Sequence, residues 1–163
     1  MLRKVALFSC FILLAPILVA GVQAADVKVG APMPEFSLKG EDGKVYNLES
    51  IKGKKTVFTF MQAACSACRG EVVLLNDLAK VAKDVLFLPI SVDMGGAKAL
   101  ERYKADYAIT LTFLLDPEFQ FPPKFGFTYT PATALIGADG KVAALLSGFD
   151  DDTAKKIKEF VKK

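Results

Sequence analysis

Hydrophobic and polar positions alternate along this chain in three different rhythms. The first 24 residues hold one long apolar run, Val5 to Val22, behind the cations Arg3 and Lys4. From residue 35 onward the apolar stretches are short. Glu35 to Lys39 and Val45 to Leu48 flank Glu41-Asp42-Gly43-Lys44, where Asp-Gly predicts a hairpin turn. Thr56 to Met61 is β-branched or apolar at every position, the pattern of a central strand buried on both faces. Arg69 to Asp84 changes to helical spacing: Val72, Leu75, Leu78, Ala79 and Ala82 form a stripe that Val73, Leu74 and Val81 widen, with Lys80 and Lys83 suiting the helix C-terminus.

Val85 to Val92 is the next predicted strand, with Pro89 marking a bulge or an edge. Ala97 to Tyr107 follows as a helix that places Leu100, Tyr103 and Tyr107 on one face. Leu111 to Leu115 is a short extended run, and any helix around Pro122-Pro123 is short and starts at a proline. Ala132 to Gly137 and Val142 to Ser147 form a hairpin about Asp139-Gly140-Lys141, and Gly148 ends it. Asp150-Asp151-Asp152 supplies N-cap chemistry for a final helix, Thr153 to Lys163. Residues 25–34 carry Pro32 and Pro34, which favour an extended or edge path.

A strand–helix–strand unit followed by an antiparallel pair and a helix predicts an α/β fold: a mixed sheet with helices on both faces, preceded by an N-terminal β-hairpin. With 163 residues, 52% of them hydrophobic, the chain suits one domain, expected at 25–163. Residues 1–24 read as a secretory signal peptide, with Val22-Gln23-Ala24 before the cut, or as an uncleaved membrane anchor. Either places the rest of the chain in the periplasm or otherwise outside the cytoplasm. The leader holds two cations and no acids, so its removal lowers the formal charge from +3 to +1. That balance gives no footing for nucleic acid or anionic membrane.

The chemistry sits where the central strand hands over to the first long helix, at Cys65-Ser66-Ala67-Cys68. Two intervening residues in a first helical turn let the sulfurs close a small ring. Cys65 falls at the helix N-terminus, where free N–H groups and the positive dipole end favour the nucleophilic thiolate. Cys68, one turn in, is expected to be shielded and to attack the mixed disulfide, releasing product. A zinc site wants four ligands, but the chain has no His and its third Cys, Cys10, lies in the leader. Haem attachment needs His where Arg69 stands. An inert structural disulfide is the plain alternative, yet so short a loop restrains little of the unfolded chain. A lone vicinal pair in an oxidising compartment reads as catalytic.

The chain resembles the thioredoxin-fold superfamily, and within it the TlpA/ResA type of extracytoplasmic thiol-disulfide oxidoreductases. The resemblance covers about residues 29–162. It rests on Gly30-Ala31-Pro32-Met33-Pro34-Glu35-Phe36, Cys65-Ser66-Ala67-Cys68-Arg69-Gly70-Glu71, Thr130-Pro131-Ala132-Thr133 and Asp139-Gly140-Lys141, in that order. It implies a thioredoxin-like mixed β-sheet flanked by helices. It implies that Pro131 is the cis proline against the active-site disulfide and that Thr130 presents its backbone to an extended substrate. Glu71 matches a C-x-x-C-x-x-E pattern and could relay a proton as Cys68 ionises. The alternative for Glu71 is an exposed helix glutamate or a partner of the helix dipole. Two departures stand out. Ala64 replaces the usual Trp before the first Cys, so the substrate-facing surface is less aromatic. Thr59 stands where cytoplasmic thioredoxins carry a buried Asp, which leaves Glu71 as the better relay.

The resemblance implies thiol-disulfide exchange with protein thiols, and favours a reductant of exported proteins such as apocytochrome c in cytochrome c maturation over an oxidant or isomerase that installs or reshuffles disulfides. Expected partners are protein thiol or disulfide substrates and a membrane or extracytoplasmic electron donor. A monomer without cofactor, metal or nucleic acid is expected. Catalytic residues would be Cys65, Cys68 and Glu71, and substrate-binding residues Ala64, Thr130 and Pro131. Two alternatives differ in class. One is a non-catalytic binding module or a Cu(I)-handling pair, since soft thiolates suit that ion. The other is a peroxiredoxin-type peroxidase, which would want Thr and Pro where Gln62 and Phe58 stand.

Overall fold

A computed structural model describes residues 27–162. The leader at 1–24 lies outside the described residues. The elements are β1 (Ser37–Gly40), β2 (Val45–Asn47), α1 (Leu48–Ile51), β3 (Lys55–Met61), α2 (Ser66–Val81), β4 (Val85–Ser91), α3 (Ala97–Asp106), β5 (Leu114–Leu115), a 3₁₀ turn (Pro122–Phe125), β6 (Ala132–Ile136), β7 (Val142–Ser147) and α4 (Asp151–Lys162). The seven strands form one mixed sheet in the order β2-β1-β5-β4-β3-β6-β7. β3 is central, parallel to β4 along all seven of its residues and antiparallel to β6. The hairpin β1–β2 joins through the antiparallel pairing of β1 with β5.

Alternation along β3 divides the interior into two cores. Val57 and Met61 face one side, with Cys68, Val72 and Leu75 of α2, Leu100 and Tyr103 of α3, and Ile157 and Val161 of α4. Phe58 and Phe60 face the other, with Phe36, Ile51, Phe121, Phe125 and Phe127. This second core is largely aromatic: Phe60 meets the rings of Phe121, Phe125 and Phe127 at centroid distances of 5.7, 5.9 and 5.7 Å. Three long helices cover the first face. Among the described residues, α1, the 3₁₀ turn and the leading extended segment cover the second. That segment also closes the β7 side: Gly30 N–H donates to Val142 O at 2.8 Å, and Val142 N–H to Ala31 O at 2.9 Å.

The structure departs from the pattern reading in four places. Leu48 does not continue a strand but opens α1. Asn47 caps it, its Oδ1 accepting from Glu49 N–H at 3.1 Å and Ser50 N–H at 3.2 Å, while Ser50 Oγ accepts from Asn47 N–H at 3.1 Å. Helix α2 starts at Ser66, in line with Cys65 at its N-terminus, but stops at Val81 rather than Asp84, and Val81 is 78% exposed and not part of the buried stripe. The final helix α4 begins at Asp151, because Asp150 Oδ1 accepts from Thr153 N–H at 2.8 Å and so takes the cap position. Pro89 lies in an interior strand without a bulge against β3. Val92 N–H donates to Met61 O, so by alternation the N–H that Pro89 lacks would point toward β5. β5 begins opposite Ile90, one residue past it, so no ladder bond is lost.

Candidate active site

β3 ends at Met61 and α2 starts at Ser66, so the four residues between them sit at one end of the sheet. This turn is held from both sides. Ala63 N–H donates to Asp93 Oδ2 at 3.0 Å, and the same oxygen accepts from Ser91 Oγ at 2.8 Å at the end of β4. Cys65 N–H donates to Gln62 O at 3.1 Å. Cys65 is the N-cap of α2, and its Sγ accepts from Cys68 N–H at 3.1 Å. That is the donor a Cys65 thiolate would use, alongside the positive end of a 16-residue helix. The cysteines form a disulfide with their Cα atoms 5.2 Å apart. Cys65 is half-buried and Ala64 beside it exposed, whereas Cys68 is fully buried. The geometry thus separates an accessible sulfur from a shielded one.

Glu71 lies one turn after Cys68 and is completely buried, which rules out the exposed-glutamate alternative. Its Oε1 accepts hydrogen bonds from Thr133 Oγ1 on β6 and, at 3.4 Å, from Thr59 Oγ1 on β3; the two hydroxyls are 2.9 Å apart. Its Oε2 is buried without a partner among the described residues. Burial pushes the carboxyl up to about 7, against the two hydroxyls, which favour the ionised form. The Thr130–Pro131 peptide is cis. Pro131 is buried and anchors the start of β6, its carbonyl accepting from Gly148 N–H at 2.8 Å. Thr130 is half-buried, with Oγ1 donating to Gln62 Oε1 at 3.5 Å.

A Redoxin family model matches residues 28–161. The chain belongs to the Redoxin family. Among curated relatives, the thiol-disulfide oxidoreductase ResA of Geobacillus thermodenitrificans is 26% identical over 123 residues, 75% of this chain and 71% of that one. A solved structure assigned as the thiol:disulfide interchange protein DsbE of Chlorobium tepidum superposes with a TM-score of 0.76 at 23% identity, over 84% of this chain and 97% of that one. A secreted Mycobacterium tuberculosis disulfide oxidoreductase homologous to E. coli DsbE gives 0.66 at 20% identity, over 78% and 94%. The mixed sheet with its added hairpin is therefore the thioredoxin-like fold. This Redoxin protein is a thiol-disulfide oxidoreductase similar to ResA, with Cys65-x-x-Cys68 as its active pair.

Several site residues of this Redoxin protein are not visible in the motif. Thr59 and Thr133 partner Glu71 from 12 and 62 positions away. In the sequence Thr59 stands out only as the position of the buried Asp of cytoplasmic thioredoxins and Thr133 only as the end of Thr130-Pro131-Ala132-Thr133, and neither signal ties them to Glu71. Asp93 sits in a loop whose composition suggests nothing beyond a turn. Arg69, directly after Cys68, is exposed: its Nη1 donates to Tyr107 Oη at 3.2 Å and its guanidinium stands 5.4 Å from that ring. This pair ties the start of α2 to the end of α3, and the Tyr107 hydroxyl raises the Arg69 guanidinium above its ordinary value. A groove of about 550 Å³ adjoins the site through Gln62 and Thr130, with Met94, Phe119 and Tyr129 along it. Met94 is 93% and Tyr129 56% exposed, so part of this groove beside the cis proline is apolar surface open to solvent.

Proposed function

We propose that this protein reduces disulfides in exported proteins, apocytochrome c among them, outside the cytoplasm. The observation that carries the direction is the buried Glu71 carboxyl one turn behind Cys68, with no cation among its partners. A dithiol becomes a strong oxidant when its reduced form is stabilised. A neighbouring buried carboxylate does the opposite for a thiolate, because like charge in a low-dielectric site disfavours it. Similarity to ResA supports the same direction.

In this reading Cys65 thiolate attacks a substrate sulfur, and a mixed disulfide forms as the other substrate sulfur leaves. Cys68 then loses its proton to Glu71 and attacks Cys65 Sγ. The Cys65–substrate bond breaks, the second substrate sulfur leaves and is protonated from solvent, and two electrons have passed to the substrate. Ala64, Thr130 and Pro131 line the strand-like path of the substrate beside Cys65. The leader, as signal peptide or anchor, exports residues 25–163, which act as a monomer resupplied by a membrane or extracytoplasmic electron donor.

The test uses an oxidised Cys-x-x-Cys-His peptide, the haem-attachment type. The reduced protein is expected to reduce it stoichiometrically, with Cys65 and Cys68 ending as the disulfide. If instead the oxidised protein readily oxidises the reduced peptide and the reverse reaction is negligible, the assigned direction is wrong.

A further inference from the structure

Glu71 is held unequally by its surroundings. One oxygen, Oε1, accepts from two threonine hydroxyls, and the other, Oε2, has no partner although it is buried. A threonine hydroxyl has a single proton to donate. The close contact assigns the Thr133 proton to Glu71 Oε1. The Thr59 hydroxyl, 2.9 Å from Thr133 Oγ1 and 3.4 Å from Oε1, then donates into the same chain. Both hydroxyls belong to the sheet rather than to the active-site helix: Thr59 and Thr133 are directly paired residues of β3 and β6. The sheet therefore grips one oxygen of a carboxyl carried by α2.

We propose that Thr59 and Thr133 are positioning residues that engage Oε1, so that Oε2 is the oxygen that takes the Cys68 proton during resolution of the mixed disulfide. This rests on the reading of Glu71 as the proton acceptor. In the step, the Cys68 S–H bond breaks, a Glu71 Oε2–H bond forms, and the new thiolate displaces the substrate sulfur from Cys65. The hydroxyls stay hydrogen-bonded to Oε1 throughout. Their donation favours the ionised carboxyl, whereas burial opposes it. Thr59 and Thr133 are what keeps a fully buried acid able to accept a proton near neutral pH.

Among the described residues, no other carboxyl is buried in this core. Val57 and Met61 of β3, Val72 and Leu75 of α2, Leu135 of β6, Leu146 of β7 and Ile157 of α4 are apolar, and the titratable members are the cysteine pair and Tyr103. Among the described residues, no charged side chain contributes to the Glu71 shift.

The experiment follows two readouts against pH in the full chain. One is the Glu71 carboxyl carbon resonance of the ¹³C-labelled oxidised protein. The other is the single-turnover rate at which Cys68 resolves a preformed mixed disulfide on Cys65. The wild type should show an inflection near neutral pH in both, and E71Q should lack it in the rate. T133V should raise the midpoint by about one pH unit, the equivalent of one hydrogen bond to a charged group. T59V should raise it by less, and T133S should leave it in place. A rate inflection that persists in E71Q defeats the reading of Glu71 itself. An inflection lost in E71Q but unmoved in T133V and T59V defeats the proposal alone. Should T133V not fold, T59V decides between the same outcomes.

Discussion

Cys65→Ser is expected to lose disulfide exchange to background, while Cys68→Ser still attacks but accumulates as a covalent mixed disulfide. The difference follows from burial. Cys65 is half-exposed at the helix N-cap and meets the substrate; Cys68 has no exposed surface and can reach only Cys65. A serine at position 65 keeps the shape of the turn but replaces the nucleophilic sulfur with a hydroxyl that cannot carry out thiol exchange. A serine at 68 leaves the first attack intact and removes the second. The check is a non-reducing gel and mass spectrum after mixing each variant with an oxidised protein substrate. Cys68→Ser should carry the mass of the substrate, released by dithiothreitol, and Cys65→Ser should not. A Cys65→Ser variant that retained full activity in cells would instead point to a binding module, in which the fold acts without its thiols.

Glu71→Gln is expected to change the pH dependence of stability as much as the chemistry. In the unfolded chain the carboxyl titrates near 4.5, and in the folded protein burial raises this to about 7. Between these values the unfolded chain gives up its proton while the folded one keeps it. Folded stability from this group is therefore complete below about pH 4.5 and lost as pH rises through about 7. The loss is on the order of 3 kcal/mol, since each pH unit of difference is worth about 1.4 kcal/mol. Glutamine cannot ionise, so Glu71→Gln should match the oxidised wild type in mild acid and exceed it by up to that amount above neutral pH. Urea unfolding of both proteins on either side of neutrality measures the difference. A constant gap between them at all pH values would mean that Glu71 does not titrate in this range.

The order of elements was legible because the burial pattern changes period at each boundary. Thr56 to Met61 reads as a two-face-buried strand, and all six of those residues are buried, the four apolar ones divided between the two cores. The Cys65–Cys68 turn was legible for the same reason: it falls where strand periodicity gives way to helical periodicity. The cap at Asn47 was missed because Leu48 is apolar and follows a strand-like run, while the capping partner is Ser50 rather than the more usual Glu or Gln. The surroundings of Glu71 were illegible for a deeper reason. Pairing of β3 with β6 sets Thr59 opposite Thr133, and no local pattern in either segment encodes that register. The ion pair between Lys104 of α3 and Glu41 at the β1–β2 turn is hidden in the same way, as a contact between elements far apart in sequence.

The most direct test is the reduction potential of the Cys65–Cys68 pair, read by equilibrating the purified protein in glutathione buffers of graded composition. A reversible two-electron couple near that of thioredoxin, roughly −270 mV, is the expected result and marks a reductant that needs a dedicated electron supply outside the cytoplasm. A value near roughly −120 mV would make the protein an oxidant and reverse the proposed direction. The absence of any reversible couple would contradict the central claim that this pair exchanges disulfides.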